Sequence, residues 1–212
     1  MPYTIYASTV NDYDANTTDT WANTRAASKG TETINSINPR HSVSFNGVGW
    51  RFIRTYIEFD LSSVTEPITT MTLYVRGRTV TGNTSYMAYG GQSTLASTNG
   101  YAYYLDNLSG TDFLAVGSIT NTFTAFPLDL TQYPPNDPPG PYVIGLIADV
   151  DFNNLENSSF NQVTIYNNVG IDVPYLVINQ TGYPYEVNGV LGANITEVSG
   201  VPVASIANIM GV

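Results

Sequence analysis

No cysteine occurs in the 212 residues, which excludes a disulfide framework and any thiolate metal site. Histidine occurs once, as His41 in the polar stretch NPRHSVSF, which reads as a surface loop. Without a second imidazole or a G-x-S-x-G elbow, a Ser/His/Asp or Cys/His nucleophilic set has nothing to assemble from. Charge is sparse at 11% of residues, with a single lysine, Lys29. The balance is acidic, −10 at pH 7, which argues against a phosphate backbone as partner. No apolar run approaches membrane-spanning length, so insertion of a helix into a bilayer is not expected. The opening MPYTIYASTVNDYD has neither a basic region nor a long apolar stretch and does not read as an export signal. Helix signals are almost absent.

What the chain has in abundance is tyrosine, 16 residues, together with asparagine and threonine. Tyr and Thr suit pleated strands, whereas Asn, Gly and Pro suit turns, so the composition points to an all-β fold. Alternation supports this. In Trp50–Leu61, one face holds Ile53, Thr55, Ile57, Phe59 and Leu61, and the other Trp50, Phe52, Arg54, Tyr56 and Glu58. In Ile68–Arg76, Met71, Leu73 and Val75 oppose Thr70, Thr72 and Tyr74. Both read as half-buried strands. Pro141–Val150 is apolar on both faces and reads as a central strand. Tyr3–Val10, Gln162–Tyr166 and Tyr175–Asn179 are further strands. Ile57, Phe59, Leu73 and Ile147 are the expected core. Asn11–Asn38, Thr79–Thr98 and Ser109–Thr124 read as long polar connections, and Thr131–Pro141 is too proline-rich for a helix or central strand. Uneven strand spacing with long loops predicts a jelly-roll β-sandwich over residues 1–180.

The pair RTYIEFDLSSV and ITTMTLYV resembles the signature of DNRLRE-type jelly-roll domains, which lie close to certain carbohydrate-binding modules. Met71 stands where that family usually has Ala. FPLDLTQY at Phe126–Tyr133, the strand at Val143–Asp149 and the closing PYLVI at Pro174–Ile178 extend the likeness. The resemblance implies a jelly roll of the kind found in surface adhesins, polysaccharide-degrading enzymes and virion proteins. Fold alone does not choose among these.

Residues 181–212 differ. After the hinge-like TGYPY come EVNGVLGANIT, EVSGVPVASIA and NIMGV, an 11-residue repeat carrying Val187, Val190, Ile195, Val198, Val201 and Ile206. Glycine in each copy, β-branched residues and Pro202 argue against a helix and predict extended pieces broken by Asn-Gly and Ser-Gly turns. The repeat resembles C-terminal tails of phage virion proteins. So many apolar residues in so short a segment need a partner surface, so the tail is expected to be an assembly element.

Four site readings follow. Asp149, Asp151 and Glu156 are close in sequence, but the two aspartates end a strand, where acidic residues usually leave for solvent; catalysis is not expected of them. Asp12, Asp14, Asn16 and Asp19 form an oxygen-rich run whose loop could wrap calcium, although it lacks the glycine and terminal glutamate of an EF-hand. Tyr101, Tyr103 and Tyr104, with Trp21, are candidate platforms for sugar rings. Arg54, on a strand, is expected in a structural ion pair or bonded to loop carbonyls. The six N-x-S/T triplets, among them Asn16, Asn83 and Asn107, read as chance in an Asn/Thr-rich chain. The expected function is that of a non-enzymatic virion structural protein, a capsid decoration, fibre or tail-associated subunit. Its partners would be copies of itself, other virion proteins and surface glycans. A sugar-binding adhesin or accessory module is the runner-up, and a polysaccharide hydrolase the least favoured class.

Overall fold

The structure, a computed structural model, describes residues 2–16, 20–25, 31–33, 40–45, 49–64, 68–81, 85–90, 113–131, 140–156, 161–165, 172–180, 197–198 and 201–202. The first strands are β1 (Tyr3–Tyr6), β2 (Thr9–Asn16), β3 (Thr31–Thr33), β4 (Arg40–Phe45), β5 (Trp50–Asp60), β6 (Ile68–Thr81) and β7 (Ser85–Gly90). They are followed by β8 (Phe113–Ser118), β9 (Phe123–Leu128), β10 (Pro141–Ala148), β11 (Asn161–Ile165), β12 (Tyr175–Gln180), β13 (Glu197–Val198) and β14 (Val201–Pro202). Two helical turns interrupt them, α1 (Trp21–Arg25) and α2 (Asp149–Phe152). The protein is all-β and antiparallel, in the manner of a sandwich.

One sheet, here sheet 1, runs β1–β12–β6–β9. Sheet 2 is built around β5. Strand β2 lies along one edge of β5, from Arg51 to Glu58, and carries β3 beyond it. The opposite edge is shared end to end: β10 pairs with Thr55–Asp60 and β4 with Trp50–Ile53. Strand β10 continues to β7 and β8, whereas β4 continues to β11. The sheet therefore forks at Arg54, the one β5 residue between these two partners.

The two sheets are joined by chain that passes from one to the other. Between β1 and β2, the Ala7 amide donates to Pro174 O and the Ser8 amide to Glu58 O, so the crossing takes two residues. The 14-residue β6 begins in sheet 1 against β12 and β9 and ends in sheet 2 against β11. It turns at Gly77, whose amide donates to Thr120 O at 2.7 Å. A Cβ at Gly77 would stand 2.8 Å from that same carbonyl oxygen, so only glycine permits the approach.

The alternation of Ile68–Arg76 appears as expected: Met71, Leu73 and Val75 are buried and pair with Ile178, Leu176, Leu128, Phe126 and Thr124. Ile57, Phe59, Leu73 and Ile147 are all fully buried. Strand β10 is central, as its two apolar faces predict.

Three expectations need correction. Strand β5 is not half-buried: Trp50, Phe52, Arg54 and Tyr56 are as buried as Ile53, Thr55, Ile57 and Phe59, because α1 and α2 fold over its outer face. The polar stretches contain β2, β3, β7, β8 and the end of β6. Strand β2 takes its backbone partners from β5 and β7 from β10, while β3 and β8 pair in turn with β2 and β7, so long-range pairing overrides the polar composition of these stretches. His41 lies in β4, opposite Val163, not in a loop.

Candidate functional site

On the outer face of sheet 1 the register places one tyrosine on each of three adjacent strands. Tyr6 of β1 is opposite Tyr175 of β12, which is opposite Tyr74 of β6. Tyr74 and Tyr175 stack with centroids 4.8 Å apart and planes 9° apart, which is the spacing of the strands that carry them. Tyr6 leans against Tyr175 at 5.9 Å and 56°, and is 61% exposed. Phe123 closes the group, edge-on to Tyr175 at 5.1 Å. The residue opposite Tyr74 on β9 is Ala125, which has only a methyl group to set beside the second face of that ring. The neighbouring row is Thr4, Val177, Thr72 and Pro127. Farther along, Asn179 Nδ2 donates to Thr70 Oγ1 at 2.7 Å. Burial, then the nearby Tyr74 and Tyr6 hydroxyls, holds the Tyr175 phenol above its ordinary value of 10. The charges bordering it, Arg76 and Asp172, are paired with each other. The face thus combines aromatic carbon with hydroxyl and amide groups and carries no unbalanced charge among these residues.

A groove of about 480 Å³ lies where β6 leaves sheet 1, lined by Arg78, Thr79, Val80, Ile119, Thr120 and Asn121. Arg76 Nε donates to Asn121 O at 2.8 Å and ties the β8–β9 connection to the tyrosine-bearing strand.

The outer face of sheet 2 is closed instead. Arg54 Nε donates to Asp151 Oδ2 at 2.7 Å and its Nη2 to Oδ1 at 2.8 Å, with both residues buried. Arg25 Nε adds bonds to Asp151 O at 2.7 Å and Oδ1 at 3.1 Å, and Arg25 Nη2 bonds Phe152 O at 3.2 Å. This bears out the structural role expected of Arg54. It corrects the expectation for Asp151, which does not leave for solvent but fills the fork between β10 and β4. Helix α2 can place it there because the helix ends in a Schellman turn, with Leu155 N donating to Val150 O at 2.8 Å and Asn154 at φ 53°. Asn154 Oδ1 in turn accepts from Trp21 Nε1 at 2.9 Å.

Trp21 is therefore not a solvent-facing platform. Its ring is 5% exposed and packs edge-on against Trp50 and Phe52, each at 4.8 Å. Asp12, Asp14 and Asn16 lie on the extended strand β2, opposite Thr55, Ile53 and Arg51, not in a wrapping loop. Asp19 lies outside the described residues, as do Tyr101, Tyr103, Tyr104, Val187, Val190, Ile195 and Ile206. Val198 and Val201 are register partners in the antiparallel pair β13–β14, and the Ser199-Gly200 pair expected to turn the chain lies outside the described residues. Sequence reading missed the Tyr6–Tyr175–Tyr74 row. The signal was present, since Tyr74 was placed opposite Met71, Leu73 and Val75, but the pairing of three distant strands cannot be read from spacing.

No model of a known protein family matches the chain, and no curated protein matches it. The likeness to DNRLRE-type domains therefore rests on the residues quoted for it.

Proposed function

We propose that this protein is a non-enzymatic structural component of a virus particle, a sandwich of jelly-roll kind that presents the outer face of sheet 1 to surface glycans. The observation that carries the reading is the outward-facing tyrosine row, exposed at Tyr6 and half-buried at Tyr74 and Tyr175, held on paired strands and not on a loop. Sugar rings have apolar C–H faces rimmed by hydroxyls. They match aromatic carbon flanked by phenol, threonine and asparagine groups, and rigid rings lose little entropy when they bind. The particle location is supported by the acidic, cysteine-free composition and by the apolar repeat of residues 186–212, which would anchor the sandwich on its neighbours.

The two halves of the proposal are tested separately. On a glycan array, the folded chain should bind a restricted set of oligosaccharides; uniform absence of binding contradicts the recognition role. A chain ending at Tyr185 should remain folded yet lose self-association or attachment to particles. Retention of both by the truncated chain contradicts the anchoring role. An adhesin or accessory module would use the same tyrosine face but would bind its glycan equally well without the tail and would not co-purify with particles at fixed copy number.

A further inference from the structure

We propose that β1 is a contact strand for a second copy of this chain: two β1 strands pair antiparallel about a twofold axis at Ile5 and join two copies of sheet 1 into one sheet. The inference goes beyond the glycan reading and does not depend on it.

The first support is an open edge. Strand β1 ends sheet 1, with β12 on one side and, among the described residues, no strand on the other. The Ala7 amide donates to Pro174 O, and that pair continues the register in which Tyr6 is opposite Tyr175, Ile5 opposite Leu176 and Tyr3 opposite Ile178. In an antiparallel ladder, hydrogen-bonded pairs alternate with non-bonded ones, so Ala7, Ile5 and Tyr3 direct their backbone groups to β12. Thr4 and Tyr6 direct theirs away from it, and both residues are exposed.

The second support is the lack of protection. Sheet edges are usually blunted by charge, proline, a bulge or short length. Strand β3 has only three residues, centred on Glu32, and β9 carries Pro127. Strand β1, Tyr-Thr-Ile-Tyr, has neither charge nor proline, and its register with β12 is unbroken. Tyr3 is 44% exposed and Tyr6 61%, on opposite faces of the strand; Leu155 is the one other large hydrophobic residue so exposed among the described residues.

The third support is charge, which selects the partner. A chain of net charge −10 repels a copy of itself, so contact between copies is favoured where charge is absent. Residues 2–9 and all of β12 contain no Asp, Glu, Lys or Arg. The same absence leaves this edge nothing with which to select a charged partner.

The fourth support is self-complementarity. A twofold axis at Ile5 sets Thr4 opposite Tyr6 of the second copy and Tyr6 opposite its Thr4, so every outward N–H and C=O of these residues finds a partner. A slip one way sets Tyr6 opposite Pro2, which has no N–H. A slip the other way sets Thr4 opposite Ser8, whose amide is committed to Glu58 O. At the axis, Ile5 meets Ile5 of the second copy beside the core against which it already packs. The axis stands perpendicular to the sheet, so both tyrosine rows lie on one face of the joined sheet.

The test uses the full chain. Sedimentation equilibrium over a concentration series should return the mass of two chains, or an even multiple, for wild type, and Thr4→Pro should halve it. Proline removes the outward N–H and spares the ladder to β12, the setting in which edge strands tolerate it. Cysteine variants then fix the register in a chain that has no cysteine of its own. Thr4→Cys and Tyr6→Cys, mixed under a mild oxidant, should form a covalent dimer, because directly opposite residues of a hydrogen-bonded pair are about 5.5 Å apart at Cα, within disulfide reach. Neither variant alone should cross-link, because identical positions of the two copies lie diagonally, about 7–8 Å apart. Both positions are exposed, and thermal melts of each variant verify folding. A wild-type mass of one chain at every concentration, or a Thr4→Pro variant that keeps the wild-type mass, overturns the proposal. Loss of association in Thr4→Pro without the mixed cross-link also overturns it and assigns the edge to another segment.

Discussion

The outer face of sheet 2 gathers Trp21, Trp50, Phe52, Arg54, Arg25 and Asp151 and buries nearly all of them, whereas the outer face of sheet 1 carries Tyr6, Tyr74 and Tyr175 toward solvent. Both faces are aromatic. What separates them is α1 and α2, nine residues in total, folded over one and not the other. The covered face has become a second core, closed by a carboxylate between two guanidinium groups. The bare face keeps aromatic carbon at its surface, and it is the face to which the proposed function assigns glycan contact. In this account, one face maintains the sandwich and the other recognises.

The largest way to break that contrast is Asp151→Ala. It removes the carboxylate that pairs with the buried Arg54 and should cost about 3–5 kcal/mol in chemical denaturation. Glycan affinity of the remaining folded protein should be unchanged, because the clasp is on the opposite sheet. A cost below about 1 kcal/mol, the range of an exposed pair, would mean that the clasp is solvated in solution. Next comes Gly77→Ala at the crossing of the sheets. The new methyl would sit 2.7 Å from Val80 Cγ2 and 2.8 Å from the Thr120 carbonyl oxygen, and overpacking of this kind costs about 1–3 kcal/mol. A neutral melt would show that β6 bends without needing the glycine.

Tyr74→Ala should have the reverse profile of Asp151→Ala. Loss of a stacked, half-exposed ring should cost only about 1 kcal/mol of stability but reduce glycan binding more than tenfold. Stability loss of several kcal/mol with intact binding would move Tyr74 into the structural class.

The smallest expected effect is acid sensitivity at two strand ends. Asp60 accepts from the Ser62 amide at 2.9 Å, and Asp129 from Thr131 Oγ1 at 2.6 Å and the Thr131 amide at 3.0 Å. Side-chain hydrogen bonds to Ser62 and to Thr131, then their backbone amides, hold both carboxyls below the ordinary 3.8. A folded-state value below the unfolded one contributes stability that is present above 3.8 and is lost as pH falls through the lowered value. The double variant Asp60→Asn/Asp129→Asn should therefore lose slightly less stability than wild type on acidification below 3.8. An identical acid profile would show that these turns do not contribute.

Much of the framework was legible because it rests on local alternation. Met71, Leu73 and Val75 repeat with period two, and Pro141–Val150 is apolar on both faces. Strands β2, β7 and β8 were not legible within their polar surroundings, since their ladder partners lie elsewhere in the chain. The same distance hid the functional contrast. Trp21 sits among polar neighbours in sequence yet packs under Trp50 and Phe52, and Asp151 follows a strand but turns back through α2 to Arg54, 97 residues away. Tyr6, Tyr74 and Tyr175 look like ordinary strand tyrosines until three strands bring them into register.

The account is tested most directly by glycan-array binding of two folded variants measured side by side, Tyr6→Ala/Tyr74→Ala and Tyr101→Ala/Tyr103→Ala/Tyr104→Ala. The first should melt near wild type and lose the array signal, while the second should keep it. A full signal from Tyr6→Ala/Tyr74→Ala, with loss in the Tyr101–Tyr104 variant, would contradict it and move recognition off the outer face of sheet 1.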